Sequence, residues 1–117
     1  MRAIELTEMS GLQGLRLVDR PDPRPGRHQV LLRMDAWSLN YRDLMVVRGQ
    51  YSARLPLPLT PLSDGVGHVV DVGEGVTRVK VGDRVTPTFV QKWLCGMPTE
   101  TISLDSCGFL NSRTCKN

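Results

Sequence analysis

The chain has 117 residues, a formal net charge of +3, 40% apolar residues and only two each of Trp, Tyr and Phe. This length suits one domain and leaves no room for two of ordinary size. Its Lys and Arg are scattered without a run, which argues against the clustered basic face of a nucleic-acid binder.

Three cysteines, Cys95, Cys107 and Cys115, lack metal-ligand spacing, so neither a disulfide scaffold nor a Cys-based metal site is expected. No stretch approaches the ~20 apolar residues of a membrane span, and the charged start Met1 to Leu6 lacks the apolar run of a signal peptide. A cytoplasmic protein with no nucleic-acid and no membrane partner is the expectation.

Arg2 to Leu6 and Leu15 to Val18 read as strands, joined into a hairpin by a turn at Ser10 to Gly14. Three prolines between Pro21 and Gly26 then forbid regular structure. Val30 to Ala36 reads as a strand, with Val30, Leu32 and Met34 on one face and Leu31, Arg33 and Asp35 on the other. Asn40 is placed to cap a helix that begins at Tyr41 and stops at Gly49, and Asp43 sits in its first turn, where a carboxylate suits the helix dipole. Leu55 to Pro61 must be extended, because each proline disfavours helix in the residue before it. Gly65 to Val72 is the second long strand, and Gly73-Glu74-Gly75 turns the chain. Val81-Gly82-Asp83 is another turn before a strand from Arg84 to Thr88. Five or six strands with one short helix predict a mainly β fold, a partly open barrel.

Two glycine runs invite comparison with a dinucleotide fingerprint, which needs G-x-G-x-x-G between a strand and a helix. Arg78 stands at the third position after Gly73 and Gly75, and Val70 after Gly65 and Gly67. Both runs are expected to serve as turns and close backbone approaches.

Taken in order and spacing, five segments resemble the substrate domain of the medium-chain dehydrogenase/reductase superfamily. They are Asp22 to Gly26, Val30 to Met34, Leu39 to Leu44, Arg48 to Tyr51, and Leu62 to Val76 followed by Val81 to Val85. The resemblance implies a GroES-like, partly open β-barrel over residues 1–98, a domain that the family follows with a Rossmann domain holding NADPH or NADH. Residues 99–117 lack pattern and are expected to be a loosely ordered tail of a truncated or frame-disrupted chain.

Zinc-dependent relatives carry a cysteine where Asn40 stands and Gly-His-Glu where Leu62-Ser63-Asp64 stand. Amide and hydroxyl are poor substitutes for thiolate and imidazole, so the resemblance points to the zinc-independent, quinone-oxidoreductase-like branch and to no metal. It implies an oxidoreductase that passes hydride from NADPH or NADH to a quinone, enone or similar carbonyl compound, with the cofactor bound elsewhere than on this chain.

By that resemblance the catalytic candidates are Asn40, Tyr51 and Asp43, and the substrate or cofactor cleft would hold Tyr41, Ser63 and Asp64. Each has a structural alternative: Asn40 as a cap, Asp43 as a dipole partner, the tyrosines as packing rings, Ser63 bonded to its own backbone, and Asp64 bonded to backbone nearby. Arg42 is expected to face solvent, His68 to be a half-buried strand residue, and Cys95 an inert buried thiol. The small-molecule substrate is the partner of the enzyme reading. Its rival is a non-catalytic interaction module that self-associates through an exposed apolar surface.

Overall fold

A computed structural model describes residues 1–52, 55–89, 96–97 and 115–116. The expected tail, and Cys95 and Cys107, lie outside these residues, apart from the backbone of Cys115–Lys116.

The chain opens with a hairpin of β1 (Arg2–Leu6) and β2 (Leu15–Asp19), antiparallel, with Arg2 opposite Asp19 and Leu6 opposite Leu15. A 3-10 turn over Gly11–Gly14 connects them. Gly14 is obligatory there, because a Cβ would collide with the Glu8 carbonyl. Glu5 is buried and receives a hydrogen bond of 2.7 Å from the half-exposed Arg20, which fastens the hairpin to the chain leaving it.

A second sheet has the order β5-β4-β3-β6. Its long pair is β3 (Gln29–Ser38) against β4 (Asp64–Val72), antiparallel. β5 (Arg84–Val85) pairs with β4 at Gly67 and His68, and β6 (Cys115–Lys116) pairs with β3 at Gln29 and Val30. The expected strand to Thr88 therefore ends at Val85. Pro87, which has no N–H to give a ladder, stands two residues on.

Simple alternation along β3 also fails. The register shifts between Leu31 and Leu32 and again between Met34 and Ala36, so Asp35 has no partner opposite it. Such bulges bend and twist a sheet locally. The sheet needs its glycines for contact: a Cβ on Gly67 would stand 2.5 Å from the Arg33 carbonyl oxygen. The turns at the far end are clasped together. Gly73 N–H donates to the Gln29 carbonyl at 2.8 Å, and His28 N–H donates to that of Glu74 at 2.8 Å.

The helix α1 (Tyr41–Val47) is flanked by Asn40 and Arg48, and Gly49 ends it at φ +69°, as expected of a left-handed C-terminal glycine. Its Val46 and Val47 pack with Leu6, Leu55 and Leu59 into the main core, which Met9 and Leu15 border. Burying each such side chain contributes roughly 1.5–3 kcal/mol. Leu6 and Leu59 also exchange backbone hydrogen bonds of 2.7 and 3.1 Å. That bridge joins the hairpin to the rest, and no continuous ladder connects the two sheets among the described residues. The fold is thus mainly β with one short helix, a partly open barrel.

Candidate functional site

The start of α1 meets the start of β4. Asn40 is extended (φ −113°, ψ 153°) and forms a capping box with Asp43. The firm half of the box is the Asp43 carboxylate, whose Oδ2 accepts the Asn40 N–H at 2.8 Å. The Asn40 side chain reaches outward, and its Nδ2 donates to Asp64 Oδ2 at 2.5 Å. Capping and a link to β4 are therefore compatible roles of one residue.

Ser63 is buried, and it does not bond its own backbone. Its hydroxyl accepts from Arg42 and donates to Asp64 Oδ2 at 3.2 Å. Arg42 corrects the expectation of a solvent-facing side chain. Its side chain is 28% exposed, and the guanidinium lies 3.7 Å from Asp64 Oδ2 and 4.2 Å from the centre of the Phe89 ring. The residue before the cluster, Leu62, holds a left-handed φ of +77°, a conformation unusual for a leucine.

Asn40, Asp43, Ser63 and Asp64 are thus brought together, with Arg42 and Phe89 added. Sequence patterning does not reveal the last two. Arg42 lies one residue into a helix, where basic residues are ordinary, and its partners are more than twenty positions away. Tyr41 and Tyr51 are exposed and make no hydrogen bond to the cluster. Asp64 Oδ2 is crowded by donors, whereas Arg42 keeps N–H groups and Asn40 an amide hydrogen that the cluster does not use.

Beside the cluster lies a cavity of about 1100 Å³ between the hairpin, β3, α1 and residues 60–62, with Asn40 and Asp43 in its wall. His68 forms a separate pair on the sheet. Its Nδ1 is 2.6 Å from Asp35 Oδ2, although the ring nitrogen finds no aligned hydrogen bond. Among the described residues no three His, Cys, Asp or Glu side chains gather as metal ligands, and no helix is long and apolar enough to cross a membrane.

A partly open β fold, with a short capped helix set against a Ser-Asp strand start, fits the GroES-like domain of the medium-chain dehydrogenase/reductase superfamily. The chain belongs to the alcohol dehydrogenase GroES-like domain family, whose profile matches residues 26–112. It is 45% identical over 87 residues to the human synaptic vesicle membrane protein VAT-1 homolog, covering 73% of this chain and 22% of that protein. To rat quinone oxidoreductase it is 42% identical over 86 residues, covering 73% of this chain and 26% of the enzyme. Among solved structures, mycobacterial Rv1454c complexed with NADPH superposes with a TM-score of 0.66 at 41% identity, over 74% of this chain and 27% of that one. The human VAT-1 homolog-like protein gives 0.70 at 36%, over 74% and 28%. The chain therefore spans about a quarter of the length of the relatives it matches.

Proposed function

We propose that this chain is the substrate-domain portion of a zinc-independent, NAD(P)H-dependent oxidoreductase that reduces quinones, enones or similar small carbonyl compounds. The observation that carries this reading is the Arg42 guanidinium seated on Ser63 and Asp64. The cluster offers zinc two carboxylates, Asp64, which Asn40 and Ser63 already occupy, and Asp43, whose Oδ2 is taken by the Asn40 N–H, and it holds a fixed positive charge 3.7 Å from Asp64. That donor set does not suit a catalytic zinc, which takes thiolate, imidazole or carboxylate from three positions.

In this reading NAD(P)H supplies the hydride, and the acceptor oxygen gains negative charge as it arrives. The unused N–H groups of Arg42 and the free amide hydrogen of Asn40 are placed to donate to such an oxygen, and preorganised donors of this kind lower the barrier. Asp64 orients Asn40, and Asp43 holds the helix start that carries it.

The chain by itself would not catalyse the reaction. Both glycine runs are used up structurally: Gly65 and Gly67 lie within β4, and Gly75 lies in a turn that no helix follows among the described residues. Sequence likeness to quinone oxidoreductases and structural likeness to an NADPH complex support the substrate and cofactor class.

The test is a chimera in which the matching stretch of rat quinone oxidoreductase is replaced by this chain's residues. NADPH-dependent quinone reduction that survives 1,10-phenanthroline is expected, and Arg42→Ala should lower kcat/KM by about 100- to 1000-fold. A folded, NADPH-binding chimera that is inactive, or active only with zinc, would overturn the reading. So would tight coenzyme uptake by the present chain alone.

A second reading rests on the exposure of Trp37, Leu39 and Tyr41, which lie along one stretch. Apolar surface of this kind promotes association. Concentration-dependent sedimentation would favour an interaction module.

A further inference from the structure

Basic residues that are scattered along the sequence are gathered by the register of the larger sheet. Arg33 of β3 stands opposite His68 of β4, and His68 stands opposite Arg84 of β5. Residues directly opposite each other share a face of a sheet, so the three side chains form one row across three strands. Neighbouring strands are ~4.8 Å apart, which sets the two arginine backbones roughly 10 Å from each other with His68 between them. Arg33 and Arg84 are exposed, and their side chains make no hydrogen bond or ion pair among the described residues. The nearby carboxylates are engaged elsewhere. Asp35, at the bulge, lies against His68 Nδ1 at 2.6 Å, and Asp83 is held by Lys80. His68 Nδ1 is buried although the side chain is 38% exposed, so the exposure belongs to the rest of the ring, where Nε2 stands. Neither His68 nor Arg84 lines the cavity, so this row is separate from it.

Like charges set directly opposite each other destabilise a sheet, and nothing among the described residues offsets that at Arg33 or Arg84. We propose that the row is a binding site for a phosphate group, as the free ion or as the monoester of a small molecule. Each guanidinium presents a planar fork of N–H donors that matches two phosphate oxygens. The two forks close on the anion from opposite sides, and His68 Nε2–H donates from the strand between them. A tetrahedral anion offers oxygens in all three directions, whereas a carboxylate offers two in one plane, so acetate is the discriminating competitor. The proposal does not rest on the reductase reading, and its test contains no cofactor.

The experiment follows the ring resonances of the two histidines by NMR as the full chain, at pH 7 and low salt, is titrated with inorganic phosphate. His68→Gln assigns the pair, and His28, bonded to the Gly75 carbonyl in a separate turn, is the internal control. The His68 signal is expected to move along a saturating one-site curve, while acetate and sodium chloride at matched ionic strength move it little. Arg33→Gln and Arg84→Gln should each weaken phosphate at least about threefold, and Arg84→Lys should weaken it less than Arg84→Gln. Glycerol 3-phosphate distinguishes the two sources: affinity equal to or above that of inorganic phosphate supports a monoester site, and lower affinity supports a site for the free ion. Circular dichroism checks that each variant is folded. If an arginine variant does not fold, the preference for phosphate over acetate at His68 of the native chain decides. A His68 signal that does not saturate, that responds equally to acetate or chloride, or that reports unchanged phosphate affinity in both folded arginine variants overturns the proposal.

Discussion

Asn40 and Asp64 are joined side chain to side chain by a hydrogen bond of 2.5 Å between the residue that caps α1 and the first residue of β4. One bond thereby fixes the helix start against the long strand pair. Asn40→Ala loses the cap, worth ~1 kcal/mol, and the bond to Asp64. Asp64→Ala loses the bond and a partner of Arg42. Asp64 is partly exposed, so solvent screening holds the coupling between the two to about 1 kcal/mol. Urea denaturation of both single variants and the double variant measures it. Strict additivity would show that the bond contributes nothing.

Ser63→Ala should destabilise the chain by ~1–2 kcal/mol, because it leaves the half-buried Arg42 guanidinium without its hydroxyl partner. Replacing both with apolar side chains, Ser63→Ala with Arg42→Met, should cost less than the sum of the single changes, since no donor is then stranded. Denaturation midpoints with unchanged slopes report the difference. A double variant as costly as the sum would show that Arg42 contributes mainly through its contact with Phe89.

Much of this architecture is written locally. The hairpin, both long strands and the helix follow from apolar alternation and from glycine and proline punctuation, and Asn40 and Gly49 bound the helix as their backbone preferences require. The site is less legible because its contacts are long-range. Arg42 meets Ser63 across 21 residues, and no spacing rule brings a helix residue to a strand start. The bulge at Asp35 is equally silent, because one extra residue in a ladder leaves no mark in composition. The unpaired oxygen of Asp43 is invisible to sequence, since a first-turn carboxylate reads as satisfied by its helix.

Gly67→Ala tests the closest backbone approach in the sheet. The added Cβ would stand 2.5 Å from the Arg33 carbonyl oxygen and 3.0 Å from the Met34 Cα, both backbone atoms of the paired strand. Neither can turn aside as a side chain would, so β3 and β4 must separate. The expected cost is ~1–3 kcal/mol, the range of overpacked interiors. Hydrogen exchange should show faster opening of the amides near Gly67 and Met34 than in the hairpin. A variant with unaltered stability and exchange would show that the strands have room to part.

The turn before β5 carries a pH dependence of definite sign. Asp83 accepts the Lys80 N–H and the Lys80 ammonium, each at 3.0 Å, and the backbone bond is the larger cause holding its carboxyl below the usual 3.8. A carboxylate with a lowered folded-state pKa stabilises the fold above its unfolded value, and the contribution disappears as pH falls through the folded value. The same turn is tied to the central strand, for Val69 N–H donates to the Asp83 carbonyl at 2.9 Å and Gly82 N–H to that of Val69 at 2.8 Å. Loss of the Asp83 contacts therefore loosens the support of a residue only 1% exposed. Asp83→Asn should be less stable than the native chain from pH 5 to 7, and the gap should close as the pH drops below about 4. Both chains are unfolded in urea at a series of pH values to follow the gap. A difference that stays constant down to pH 2.5 would mean that the charge on Asp83 has no part in holding the turn.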